Sequence, residues 1–201
     1  KSLEIIRNAI VANDTEFEGS TEFITEKISN IFKNKEISVT LSDGDAEFGH
    51  PMISPKNPSL RLNLGKQEWY GFNECYGTSE EKKFLLYFRD LVDDFKAKFE
   101  TVMLLRNEKH FKIYNFSDGQ AFEPDFVLFV KEKKGKEKFI QVFIEPKGEH
   151  LIDKDAWKQS FLMEINSKAN SNDIKVVGLP FYNSRKGLSE FDVSLREQLL
   201  G

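Results

Sequence analysis

Two short segments constrain this chain more than any other: Phe122-Glu123-Pro124-Asp125-Phe126 and Ile144-Glu145-Pro146-Lys147-Gly148. Each sets carboxylate chemistry at the end of an apolar run that reads as a buried strand, Phe122 to Val130 and Phe139 to Glu145. A carboxylate directly after Gln141-Val142-Phe143-Ile144 is costly to bury unless it is paired or bound to a metal. Side chains alternate along a strand, so Asp125 is expected on the face of Val127 and Phe129, and Glu145 and Lys147 on that of Phe143. If the two strands pair through the turn at 131–138, Asp125 and Glu145 converge at one edge of the sheet. Two carboxylates, a backbone carbonyl and water satisfy Mg²⁺, a hard cation that takes oxygen ligands, and Mn²⁺ is able to substitute. Pro146 suits a strand end because it has no N–H for the ladder, and it leaves its carbonyl available as a ligand. Lys147 stands ready to orient or activate water, or to meet charge developing on phosphorus. The set therefore predicts metal-dependent phosphodiester hydrolysis.

The elements around these segments follow from periodicity. Thr78-Ser79 reads as an N-cap, with Glu80 and Glu81 at the positive end of a helix dipole. Phe84, Leu85, Phe88, Leu91, Val92, Phe95 and Phe99 continue it as a long amphipathic helix. Strands are expected at 101–106 and 111–116, then at the two runs already named, whose apolar residues on both faces suit central strands. A helix over 153–169, a strand over 174–179 and a helix over 188–200 complete a mixed sheet flanked by helices, an α/β fold. Residues 78–201 are read as this domain, and 1–77 as a linker and small β-rich appendage. Within the appendage, helices are expected at 1–12 and 20–32, and strand-like alternation at Ile37–Leu41 and at Leu60, Leu62 and Leu64.

Composition removes several other classes. No apolar run is long enough to span a membrane, and with 31% charged residues a soluble, non-membrane chain is expected. Cys75 is the one cysteine, which rules out an internal disulfide and suits a reducing cytoplasm. The net charge of -4 is unlike that of a basic DNA-binding domain, yet a nuclease centre is acidic and can take phosphate contacts from a local patch. Lys131–Lys138 is such a patch, or else a solvated hairpin tip turning at Gly135.

Taken together, Glu123-Pro124-Asp125 and Glu145-Pro146-Lys147 resemble the signature of the PD-(D/E)XK nuclease superfamily. The resemblance implies a restriction-endonuclease-like core of helix, three antiparallel strands, helix and strand over residues 79–180. It also implies a metal-proximal Glu on the first helix, for which Glu81 is the better match and Glu80 the fallback. Tyr76–Lys82, Arg106-Asn107-Glu108, Phe122–Phe129 and Ile144–Leu151 with Asp155, Trp157 and Lys158 look more narrowly like the C-terminal endonuclease domain of type III restriction enzyme Res subunits. That resemblance covers about residues 60 to 180 and implies Mg²⁺-dependent cleavage of double-stranded DNA in the bacterial cytoplasm. It further implies ATP-dependent translocase domains upstream in the same chain and a methyltransferase (Mod) subunit as partner. The absence of a start Met suggests a fragment of such a longer chain, and no phosphate-binding loop for ATP occurs in it.

On these grounds Asp125, Glu145, Lys147 and Glu81 are the expected catalytic set, and Asp125, Glu145, the Pro146 carbonyl and Glu81 the expected metal ligands. Lys154 and Lys158, four apart on one helical face, and His150 are candidate DNA contacts; a solvated charged face is the plainer reading of all three. Asp155 and Trp157 are placed to brace the loop that carries Lys147 to Leu151. Two rival functions keep the fold: a stand-alone repair or junction nuclease, and a non-catalytic DNA-binding or docking module.

Overall fold

A computed structural model describes residues 27–31, 44–133, 139–168, 174–186 and 188–201. Its centre is a four-stranded mixed sheet flanked by helices. Helix α1 (Ser79–Lys98) leads into β1 (Phe99–Arg106). A small hairpin follows, β2 (Ile113–Tyr114) with β3 (Ala121–Phe122), forming its own two-stranded sheet. Then come β4 (Phe126–Glu132), β5 (Phe139–Ile144), α2 (Ala156–Lys168), β6 (Ile174–Gly178) and α3 (Leu188–Leu195), the last continued as a π-helical turn over Arg196–Leu200. The sheet order is β1-β4-β5-β6, antiparallel across the first three strands and parallel between β5 and β6. A parallel neighbour requires a crossover, and α2 supplies it.

The central position expected for the two apolar runs is observed. Phe126, Leu128 and Val130 of β4, with Ile140, Val142 and Ile144 of β5, pack in one cluster with α1 and α3. Val127 and Phe143 face the opposite way, into a second cluster with Ile113, Phe122 and the α2 residues Phe161, Leu162 and Ile165. Period-two alternation thus feeds two cores, one on each face. Gly178 makes the second possible: a Cβ there would lie 1.9 Å from the Leu162 carbonyl oxygen.

Three local expectations change. The strand expected over Phe122–Val130 is interrupted at Glu123-Pro124-Asp125, because Pro124 has no N–H for a ladder. Asp125 therefore stands just before β4 rather than within it. The run 111–116 contributes only two paired residues, in the separate hairpin. The helix after the site begins at Ala156, so Lys154 lies in the preceding turn and shares no helical face with Lys158.

The described part of residues 1–77 is not β-rich. Leu60 and Leu64 belong to two 3₁₀ turns, Pro58–Leu60 and Leu64–Lys66, and the one β contact there is a bridge from Tyr70 to Leu104. Pro58 sets the first turn and Asn57 caps it, so turn chemistry overrides the Leu-x-Leu-x-Leu alternation. Leu62, Leu64, Trp69 and Tyr70 are buried in the α1 core cluster. The segment is tied down by Lys82, wholly buried on α1, whose ammonium bonds the Glu47 carboxylate at 2.9 Å and the Glu47 carbonyl at 2.8 Å. Of the helix expected over 20–32, only the turn Ile28–Ile31 is described. The expected helix at 1–12, the strand at Ile37–Leu41 and the Gly135 turn lie outside the described residues.

Candidate active site

The register of β4 and β5 creates the site. Phe126 pairs with Ile144, so the next residue outward on each chain, Asp125 and Glu145, meet at one edge of the sheet. The Asp125 N–H donates to Glu145 Oε2 at 3.0 Å, which fixes that carboxylate against the start of β4. The Asp125 carbonyl accepts from Asn107 N at 2.8 Å, extending the β1–β4 ladder by one bond. Among the described residues no hydrogen bond reaches the Asp125 carboxylate itself. It lines a cleft of about 620 Å³ together with Glu81, Arg106, Pro146, Lys147 and His150.

Residues 145–148 are held from the other side by the chain leaving β6. Pro146 and Tyr182 form a parallel bridge. Tyr182 N donates to the Glu145 carbonyl at 3.1 Å, and Lys147 N to the Tyr182 carbonyl at 2.8 Å. Asn183, buried, donates its amide to the Lys147 carbonyl at 2.7 Å and accepts the N–H groups of Arg185 and Lys186. No backbone hydrogen bond among the described residues is directed at the Pro146 carbonyl.

Lys147 extends back over the carboxylates. Its Nζ lies 2.7 Å from Glu145 Oε1 and 2.9 Å from Asp155 Oδ2. Burial opposes its charge, but Glu145 and Asp155 outweigh that and raise its pKa, so it is an ammonium at neutral pH. It can donate a hydrogen bond and stabilise negative charge. The carboxyls shift upward too. Asp125 rises well above the ordinary carboxylate range because it is buried and faces the Glu145 and Glu81 carboxylates, with Arg106 and Lys147 only partly offsetting them. Burial also raises Glu145, against the pull of Lys147, Lys158 and the Asp125 N–H.

Glu81 reaches the site but is committed elsewhere. It closes a capping box with Thr78, its Oε2 accepting the Thr78 N–H at 2.6 Å, as the Thr-Ser-Glu-Glu start allows. Both its oxygens also accept from Arg106 Nη2, at 2.9 and 3.2 Å. Glu80 bonds the N–H and hydroxyl of Ser184, each at 2.9 Å. Of the two, Glu81 is the one whose charge acts on Asp125.

The donor set accords with a hard divalent cation in part. The unbonded Asp125 carboxylate, the adjacent Glu145 carboxylate with lone pairs remaining, and the Pro146 carbonyl are all oxygen donors. A cation between the two carboxylates would relieve their mutual repulsion. Glu81 is the more heavily engaged carboxylate, its Oε2 accepting from the Thr78 N–H and Arg106 and its Oε1 from Arg106 alone, which leaves a lone pair on Oε1. Among the described residues no group of three or more His, Cys, Asp or Glu is arranged to hold a metal ion.

Several residues of the site carry no sequence signal. Asp45 accepts from the Ser79 hydroxyl at 2.7 Å and N–H at 3.1 Å, bringing segment 44–48 to the cleft rim. Asn183 is equally silent. Arg106 was legible in principle: an arginine closing the apolar run Val102–Leu105 has to find anions, as Glu145 has to find cations. Its partners are Glu81 and Glu108. Asp155 braces Lys147 as expected, whereas Trp157 packs in the second core cluster. His150 lines the cleft, and Lys158 joins the site network through Asp155. Lys154 is exposed and outside the cleft lining. The Cys75 thiol is buried and for that reason pushed up to about 12, so it is no nucleophile.

Fold and site define an α/β domain with a mixed four-stranded sheet and an acidic, lysine-bearing cleft at the edge where β4 begins and β5 ends. The chain belongs to the family described as HI_1054_C, C-terminal domain, whose model matches residues 55–193. It is 32% identical to a protein of Haemophilus influenzae described as an uncharacterized protein, and the match takes in 100% of this chain. The chain spans 44% of the length of that relative. No solved structure matches it significantly. Among the described residues no helix is long and apolar enough to cross a membrane.

Proposed function

We propose that this chain is a Mg²⁺-dependent DNA endonuclease domain of the PD-(D/E)XK type, the cleavage module of a type III restriction enzyme Res subunit. The observation that carries the reading is the convergence of Asp125 and Glu145 at one sheet edge, with the Lys147 ammonium 2.7 Å from Glu145. The succession α1, β1, β4, β5, α2 and β6, with the β2–β3 hairpin inserted between β1 and β4, supports the same reading, because the resemblance implies a helix, three antiparallel strands, a helix and a strand.

In this reading Asp125, Glu145 and the Pro146 carbonyl hold the cation, and Glu81 keeps Arg106 in place beside them. When bound, Mg²⁺ polarises the phosphate and lowers the pKa of a coordinated water. Lys147 would donate to the attacking water or to the negative charge that grows on the phosphoryl oxygens. The strand ends supply rigid positioning, on which phosphoryl transfer chiefly depends. DNA contacts come from the cleft rim, where His150 and Arg185 lie, and from Lys158 beside it. For the longer protein of which this is a module, the proposal adds an ATP-dependent translocase and a methyltransferase partner that reads the DNA sequence, at work in the bacterial cytoplasm.

The test is plasmid cleavage by the full-length protein with its partner subunit in Mg²⁺, comparing wild type with Asp125→Ala and Lys147→Ala. Both variants are expected to lose cleavage while retaining DNA binding and ATP hydrolysis. Cleavage at the wild-type rate by either one overturns the assignment.

A further inference from the structure

Lys147 is held by two carboxylates from different parts of the chain, and the proposed reaction uses only one of them. Glu145 Oε1 lies 2.7 Å from its Nζ, and Asp155 Oδ2 lies 2.9 Å away. Asp155 is itself fixed. Its N–H donates to the Leu151 carbonyl at 3.0 Å, and its carbonyl accepts from Lys158 N at 2.8 Å, so the backbone is pinned on both sides just before α2. The Lys158 ammonium meets the same Oδ2 at 3.1 Å and approaches Glu145 Oε1 at 3.9 Å. Two lysines and two carboxylates thus alternate around a closed ring. Aromatic rings flank both cations, Phe181 at 5.6 Å from Lys147 and Phe122 at 5.7 Å from Lys158.

The ring has a consequence once Glu145 is given the role of a metal ligand. A carboxylate that shares its charge with a divalent cation holds an ammonium less tightly. Lysine has a flexible four-carbon stem and a large rotamer entropy, so a weakened single contact would let it wander. Asp155 is the second carboxylate on the ammonium, outside the cleft lining, and has no place among the proposed metal ligands.

We infer that Asp155, clamped by Lys158, is the positioning residue for Lys147, keeping its ammonium over the cleft while Glu145 binds the metal. The inference rests on the nuclease reading, because its effect is read in DNA cleavage. Asp155 acts through Lys147 and touches neither substrate nor metal. Its substitution should therefore lower kcat and leave KM and DNA affinity in place. A misplacement of about 1 Å in a catalytic group is enough for a loss near 100-fold.

The experiment measures kcat and KM for Mg²⁺-dependent cleavage by the full-length complex, and DNA affinity in Ca²⁺, for wild type, Asp155→Asn and Asp155→Glu. Thermal melting of each variant reports folding. Asp155→Asn is expected to lower kcat about 10- to 100-fold with KM and affinity within about 2-fold, and Asp155→Glu, which restores the charge, to recover part of that loss. Wild-type kcat in a folded Asp155→Asn protein, or in Asp155→Glu should Asp155→Asn fail to fold, overturns the inference for Asp155 alone. So does a loss confined to KM and affinity, which would make Asp155 part of DNA binding. Should Asp155→Asn fail to fold, Asp155→Glu decides: a reduced kcat at unchanged KM supports the role, and a rise in KM alone removes it. A wild-type complex that binds DNA and never cuts it removes the nuclease reading, and this inference with it.

Discussion

Replacing Asp125 with Asn should stabilise the metal-free protein while removing its response to Mg²⁺. Asp125 lies among the charges of Glu145, Glu81, Arg106 and Lys147, three carboxylates in all against two cations, and its carboxylate accepts no hydrogen bond among the described residues. A like-charge contact at ~4 Å costs roughly 1 kcal/mol in water and about 4 kcal/mol at an effective dielectric near 20. Asp125 is half-buried, which places its repulsion between these limits, and Arg106 and Lys147 return part of it. A net gain of about 1 kcal/mol is expected for the isosteric amide, or a rise of about 2–4 °C in Tm for a chain of this size. The sign with pH follows from the raised carboxyl. The cost begins above the ordinary carboxylate pKa of the unfolded chain, grows until pH passes the raised folded value, and fades again as pH falls. The advantage of the variant is therefore largest at pH 7–8 and fades towards pH 4. Mg²⁺ reverses the order, because binding adds about 2.7 kcal/mol at 100 times Kd to wild type only. The assay is thermal melting of both proteins in EDTA and in excess Mg²⁺, across that pH range. An Asp125→Asn protein less stable than wild type in EDTA at pH 7.5, or one with an equal Mg²⁺ shift, would refute the reasoning.

Lys147→Ala should lower cleavage at least about 100-fold, the scale for loss of one preorganised donor, with DNA affinity in Ca²⁺ preserved; a kinetic comparison of the full-length complexes checks it. Lys82→Met should cost about 3–5 kcal/mol in urea unfolding, because it strands the buried Glu47 carboxylate, and adding Glu47→Gln should restore part of the loss. Gly178→Ala should destabilise by about 3 kcal/mol through collision with the Leu162 carbonyl, measured by the same unfolding experiment. Acid should weaken the attachment of segment 44–57 to α1. Burial raises the Asp45 and Glu47 carboxyls, but bonds from Ser79 and Lys82 outweigh it and hold both below their ordinary values. Their contribution is present above about pH 4 and lost as pH falls through the depressed folded values, so Asp45→Asn should flatten the acid limb of the stability curve.

The sheet was legible because its patterning is strong. Gln141-Val142-Phe143-Ile144 and Val127–Val130 have little polar content, so both had to be interior strands, and the carboxylates that end them had to be compensated. Register then followed from pairing through one turn. The apolar residues on either side of Pro124 read as one continuous strand, whereas the proline's missing N–H breaks it at 123–125. The Leu60–Leu64 alternation misled for a related reason. Those leucines are buried as their hydrophobicity requires, but Pro58 and Asn57 set the backbone. Asp45 and Asn183 could not be read at all. Each acts through a partner more than 30 residues distant, Ser79 and Lys147 respectively, and neither sits in a periodic run. Glu81 lines the cleft, but its bonds are not legible in the sequence, since they depend on where β1 delivers Arg106.

The loop that follows β6 gives the order of synthesis a meaning for activity. Asn183 supports the Lys147 carbonyl from 36 residues further along, and Tyr182 supplies both backbone bonds that fix the segment 145–147. A growing chain that has emerged only as far as α2 carries Asp125, Glu145, Lys147 and Asp155, yet lacks the strand and loop against which the lysine segment is built. Such a nascent chain has the residues of the cleft and not yet its geometry, which waits until the last strand and its loop have docked.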